Sequence, residues 1–172
     1  ALLKMIHLTE RKSQSIASYF NSLKVVPVSI SYEFDPNDLL KAKELYSSQS
    51  NSVYAKEKDE DLRSIANGIT GFKGNVNINL SEPMRFEDED DYQKISNKIT
   101  HSIVSMYELH ATNFAACNLL DITISDQKKY TLQEIKQAEK NLEGRLEALE
   151  KGARSKLLEQ YANPVIRKLE QT

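Results

Sequence analysis

Residues 25–45 read VVPVSISYEFDPNDLLKAKEL. The opening run is rich in Val, Ile and Tyr, which favour the extended state because their side chains pack well on a pleated surface. Successive side chains of a strand point to opposite sides, so Val26, Val28, Ile30 and Tyr32 share one face and Pro27, Ser29, Ser31 and Glu33 the other. Pro27 has no N–H to give to a ladder, which places it at the strand start or on an edge. The strand stops at Asp35-Pro36, because the residue before a proline is pushed out of the helical region. Pro36 suits the first turn of a helix and Asp35 suits its cap. The helix expected next covers residues 37–48, with Leu39, Leu40, Ala42 and Tyr46 along it. A mostly buried strand leading straight into a helix is the opening of an α/β unit.

Working outward, residues 75–80 alternate cleanly. Val76, Ile78 and Leu80 face one way and Asn75, Asn77 and Asn79 the other, which predicts a half-buried strand ended by Pro83. The intervening segment holds two helices, and a right-handed crossover to a parallel partner is the expected topology. Two strands alone make a poor sheet. The fold expected is therefore α/β, a partial and mostly parallel sheet with covering helices, followed by a C-terminal all-helical subdomain. The corresponding division is residues 1–86, 87–126 and 127–172. The missing strands are expected to lie upstream of Ala1.

The remaining elements read as helices. Leu2, Leu3 and Ile6 fit a short one, and Ser13 or Ser15 can cap another carrying Ile16, Tyr19, Phe20 and Leu23. The charge run Lys56–Asp61 (KEKDED) reads as a solvated loop and helix start, with Leu62, Ile65 and Ile69 following at helical spacing. Gly68, Gly71 and Gly74 read as a helix stop and turn; a phosphate cradle normally leads from a strand into a helix, the reverse of the order here. The acidic run 87–91 (EDEDD) reads as the first turn of a helix that continues to about Leu109. Leu132, Ile135, Leu142, Leu146 and Leu149 predict a long amphipathic helix, with Gly152 interrupting it and Pro164 breaking or kinking the last segment. His7 has no partner at metal-ligand or catalytic spacing, which leaves a packing role beside an acid–base one.

Composition sets bounds. The chain has 172 residues, 40% hydrophobic and 28% charged, which describes a globular protein of one domain or part of one. A net charge of −2 gives no case for nucleic acid as a partner. Cys117 is the single cysteine, so no internal disulfide forms and a reducing compartment is expected. No apolar run reaches the roughly 20 residues needed to span a bilayer.

Three stretches, in order, resemble the glycerophospholipid acyltransferases, the glycerol-3-phosphate and lysophosphatidate acyltransferases of membrane lipid synthesis. They are Val25–Glu33 (VVPVSISYE), which is similar to that family's fourth sequence block, then Gly68–Gly74 (GITGFKG) and Asn75–Pro83 (NVNINLSEP). His110–Phe114 (HATNF) also resembles a His-Pro-Thr-Asn-Tyr segment of one acyltransferase subgroup, with Ala111 in the place of Pro. The resemblance implies transfer of an acyl chain from acyl-CoA or acyl-carrier protein to a glycerol-phosphate lipid acceptor, with no cofactor and no metal. It implies substrate-binding residues at Pro27, Val28, Ser29, Ser31 and Glu33. Ser29, Ser31 and Glu33 would border the cleft at the carboxyl end of the strand, where ligands gather in open α/β sheets. An ordinary, partly solvated strand face is the alternative for the same residues.

The family's catalytic His-x4-Asp signature is absent, because the residue five positions after His7, His101 and His110 is Lys12, Met106 and Ala115. Its Glu-Gly-x-Arg-Ser glycerophosphate signature is absent too. Both lie upstream of the matching block in that family. The chain is thus expected to be the C-terminal portion of a longer acyltransferase, inactive alone, with no catalytic residue of its own. The expected placement is cytoplasmic, with peripheral attachment to the inner face of the cytoplasmic membrane through the upstream part also open. The alternative is a non-enzymatic helical interaction or dimerisation module.

Overall fold

The computed structural model describes residues 2–8, 14–49, 58–124 and 129–171. They form α1 (Leu2–Ile6), α2 (Ile16–Ser22), β1 (Val28–Tyr32), α3 (Asp38–Gln49), α4 (Glu60–Thr70), β2 (Val76–Leu80), α5 (Tyr92–Met106), α6 (Ala111–Leu119), α7 (Leu132–Leu146) and α8 (Lys151–Leu169). The cap alternative at Ser13 and the first residues of the 56–61 charge run lie outside the described residues.

The α/β expectation is overturned. The protein is mostly helical, and among the described residues β1 and β2 form a two-stranded antiparallel ribbon in place of a partial parallel sheet. At one end Glu33 N–H donates to Asn75 O and Phe34 N–H to Lys73 O, both at 2.9 Å. At the other, Ser81 N–H donates to Pro27 O at 3.1 Å and Met84 N–H to Val25 O at 2.8 Å. The direction follows from how the connection is tied down. Asn37 Nδ2 donates to Ser64 O at 3.0 Å and Asn67 Nδ2 to Pro36 O at 2.6 Å, pinning α4 to the start of α3. The glycine run then ends α4, and Lys73 Nζ covers the helix end by donating to Ile69 O (3.2 Å) and Gly71 O (3.0 Å). The chain re-enters the ribbon at the end it left, whereas a parallel crossover must carry it back to the other end.

The chain divides into two compact units, residues 1–30 with 77–108 and residues 31–76 with 109–170. In the first, α2 and α5 bury Ala17, Phe20 and Ile95 together with Phe86. Ser15 caps α2 by accepting from Ser18 N–H. Asn21 clamps the Phe86 backbone, donating to its carbonyl at 2.9 Å and accepting its N–H at 2.8 Å. Asp91 caps α5, so the acidic run precedes that helix and does not form its first turn. His7 is buried, its Nδ1 lies 2.9 Å from Tyr92 Oη, and its ring centroid is 4.9 Å from that of Tyr19.

The second unit is built on α8, which packs against α3 and α6, while α6 packs on α7. Its core holds Ala42, Phe114, Cys117, Ile135, Leu142, Leu157 and Val165 among others. The C-terminal leucine pattern is split into α7 and α8, and Thr131 and Glu134 form a capping box at the start of α7. Pro164 lies inside α8 without ending it. Leu158, Tyr161 and Val165 stay buried on either side of it, and Asn113 Nδ2 donates to Tyr161 O at 2.8 Å. Burial pushes the Cys117 thiol up to about 11, so it stays protonated and inert.

Gly152 sits in the first turn of α8, where a Cβ would lie 2.2 Å from the Tyr46 ring of α3. Alanine there gains helix propensity but overpacks a rigid ring. The expected outcome for Gly152→Ala is a net loss of about 1–2 kcal/mol. A denaturant midpoint equal to or above that of the parent would contradict this close approach. Among the described residues no helix is long and apolar enough to cross a membrane.

Candidate functional site

β1 alternates as the sequence predicts, but the faces are inverted. Val28, Ile30 and Tyr32 are exposed, while Ser29 and Ser31 are at 2% and 1% exposure. β2 follows suit, with Ile78 60% and Leu80 66% exposed. The expectation of a mostly buried apolar face is therefore reversed. The small serine side is enclosed, and the bulky side is left outward. Neither serine Oγ has a hydrogen-bond partner. A buried hydroxyl without one is destabilising by about 1–3 kcal/mol.

The five residues singled out from the sequence do not gather in one cleft. Pro27 is buried, and its carbonyl takes the Ser81 N–H. Val28 is exposed, and Ser29 and Ser31 are enclosed. Pro27, Val28 and Ser29 belong to the first unit, Ser31 and Glu33 to the second. Glu33 lines a cavity, and it also has a structural task. Its Oε2 accepts from Asn75 N–H (2.9 Å) and Asn75 Nδ2 (2.8 Å), closing the turn into β2. Gly74 stands beside it with φ +63°, and a Cβ there would come within 2.6 Å of that oxygen, so the turn requires glycine.

The cavity, about 240 Å³, lies wholly within the second unit. β1 brings Glu33 to it, the N-terminus of α6 brings His110, and the start of α7 brings Tyr130 and Glu134, with Gln137 further along that helix. The HATNF segment holds this end together. Thr112 Oγ1 donates to Glu33 O at 2.7 Å, and Asn113 Oδ1 accepts His110 N–H at 2.7 Å. The His110 ring is different: it is only 4% exposed, and its Nε2 has no partner. Burial holds its pKa below the usual histidine range, against the opposing pull of the Glu33 charge and the Ser31 backbone.

Tyr130 Oη donates to Leu109 O at 2.9 Å. Its pKa is raised first by burial, then by the Glu33 and Glu134 charges. Glu134 is held low by the Thr131 N–H and hydroxyl that it accepts. Glu33 and Glu134 line the cavity and no Lys or Arg does, but Lys129 Nζ stands over the Tyr130 ring, 5.4 Å from its centroid. Sequence reasoning reached Glu33 and noticed the His110 segment, but missed Tyr130 and Glu134. Their only sequence signal is the T-x-x-E capping box, which speaks of a helix start. Among the described residues no group of three or more His, Cys, Asp or Glu could hold a metal ion. Comparison of the chain with known protein families, with curated proteins and with solved structures finds no match.

Proposed function

We propose that this chain is the C-terminal part of a glycerophospholipid O-acyltransferase. In this reading the parent enzyme moves an acyl chain from the thioester of acyl-CoA or acyl-carrier protein to a glycerol-phosphate hydroxyl. The acceptor oxygen attacks the thioester carbonyl, a general base takes its proton, and the thiolate leaves. By the resemblance, that base belongs to a His-x4-Asp block outside these residues.

The observation that carries the reading is the ribbon. The stretch most similar to the acyltransferases, Val25–Glu33, presents Val28, Ile30 and Tyr32 outward and unpartnered. An exposed apolar patch of this kind marks an interaction surface or a binding groove. Here it serves to receive the catalytic part of the enzyme and the acyl chain.

The test is acyl transfer by the intact natural protein that carries this chain, with both donors and with glycerol 3-phosphate and lysophosphatidate as acceptors. Ile30→Asp and Ile78→Asp change exposed positions, so each is expected to alter stability by less than about 1 kcal/mol while lowering transfer more than tenfold. Absence of transfer to either acceptor, or full transfer by the double variant, sinks the reading.

α4 favours a second reading, an interaction module without catalysis. No residue of α4 is buried, and Leu62, Ile65 and Ile69 are all more than 60% exposed. α7 and α8 already use their apolar faces in the core, so the free surface of such a module is α4. Loss of binding to a partner in Ile65→Asp, in a protein without transferase activity, would decide for it.

A further inference from the structure

We propose that His110 is an acid-sensitive latch at the start of α6: neutral, its ring closes the first turn of the helix, and protonated, it releases that turn from the end of β1. The latch turns on which ring atom carries hydrogen. His110 and Asn113 form a capping box, in which the ring accepts the Asn113 N–H and Asn113 Oδ1 accepts His110 N–H at 2.7 Å. Nε2 has no partner, so the accepting atom is Nδ1, and the neutral ring carries its one hydrogen on Nε2. A second proton goes to Nδ1, the atom that holds the helix. It sets two donors face to face. It also leaves a charged ring at 4% exposure with no acceptor for either hydrogen.

Three elements surround this turn. On the β1 side the ring lies by the Ser31 backbone and within the field of Glu33. The start of α7 brings Tyr130 and Glu134, with Lys129 beside the Tyr130 ring. α8 brings Tyr161, whose carbonyl accepts Asn113 Nδ2 and whose phenol is bound to Asp38. The Glu33 charge favours the protonated ring, and burial, the larger effect, opposes it. The closed turn is therefore favoured in full above the ordinary histidine value of about 6.5, and that advantage is lost as pH falls from there through the lowered value. Within that window each pH unit raises the population of the opened turn up to tenfold. The turn is tied to β1 by Thr112 Oγ1, which donates to Glu33 O at 2.7 Å, so its release also frees the end of β1. The proposal does not depend on the acyl-transfer reading.

The experiment is hydrogen exchange from about pH 7.5 to about pH 5 on the natural protein that carries this chain, corrected for the intrinsic pH dependence of exchange. It reads the opening of the peptide that contains Asn113 and Phe114, and the His110 ring pKa from exchange of its Cε1 hydrogen. The ring is expected to titrate below about 6.5, with the opening constant rising up to tenfold per pH unit there, while the middle of α7, at Leu142, does not follow. His110→Asn keeps a side chain suited to a helix cap but has no proton to gain, and is expected to abolish the pH dependence. Glu33→Gln removes the favourable charge and is expected to move ring titration and opening to lower pH together. A ring that titrates at or above about 6.5, a pH-independent opening constant, an unchanged dependence in a folded His110→Asn protein, or a Glu33→Gln protein in which titration and opening separate would each overturn the proposal. If His110→Asn does not fold, the ring titration and Glu33→Gln decide.

Discussion

Replacing Asp38 with alanine is expected to remove about 3–5 kcal/mol of folding stability. The side chain is wholly enclosed at the start of α3. Arg145 Nη1 of α7 lies 2.9 Å from both carboxylate oxygens, and Tyr161 Oη of α8 donates to Oδ2 at 2.7 Å. Leu39 N–H adds a fourth bond at 2.7 Å. Tyr161 Oη in turn accepts from Asp35 N–H at 3.0 Å, so a single carboxylate ties the end of β1 to three helices. The guanidinium also rests over Phe34, 5.2 Å from its ring centroid. Removing the acid strands a partly buried cation and a buried phenol, both without their acceptor. The lower half of the range is expected, because Arg145 keeps a quarter of its side-chain surface in water.

Urea unfolding at neutral pH tests this, and a loss below about 1 kcal/mol would show that the network contributes little. The pH dependence has a definite sign. Burial raises the Asp38 pKa, against the lowering effects of Tyr161 and Arg145. A carboxyl held above its unfolded value favours the fold at low pH and weakens it as pH rises through the raised value. Acid loss of stability must therefore come from carboxylates held low, such as Asp90, paired with Lys98, and Glu134 at its cap. Their contributions disappear as pH falls below the ordinary carboxylate range.

Leu157→Ala is expected to be destabilising by about 2–5 kcal/mol, through lost burial and the cavity left behind. Leu157 has no exposed surface and sits mid-way along α8, the helix against which both α3 and α6 pack. Its neighbours in that core include residues of α3, α6 and α7, so collapse around the void would have to move several helices at once. Leu157→Met, nearly equal in volume, is expected to lose less than about 1.5 kcal/mol. Leu132→Ala, at a position 77% exposed, is expected to stay within about 0.5 kcal/mol of the parent. Equal midpoints for Leu157→Ala and Leu132→Ala would contradict the core described.

The alternation of Val28–Tyr32 and Val76–Leu80 was legible because period two is a local property. Which side faces inward is not local. The serine side faces inward and the apolar side is exposed, and nothing in the alternation says so. Strand direction was misread for a similar reason: it depends on Asn37 and Asn67 clamping α4 to α3, contacts made across 27 to 31 residues. The α7 and α8 leucines announced their helices, yet Asp38 and Arg145, 107 residues apart, carry no shared pattern. Glu33 was visible as the polar end of a strand, whereas its meeting with His110 arises from the packing of α6.

The ribbon also bears on how the protein behaves at different concentrations. In a two-stranded sheet each strand keeps one edge with unused N–H and C=O groups, here beside a bulky apolar face. Such an edge is a template for another chain, and association through it competes with folding more strongly as protein is added. Pro27 and Pro83 both flank the ribbon at the end where β1 begins and β2 finishes, and there they interrupt the row of donors. These two imino acids act as gatekeepers against stacking of ribbon upon ribbon.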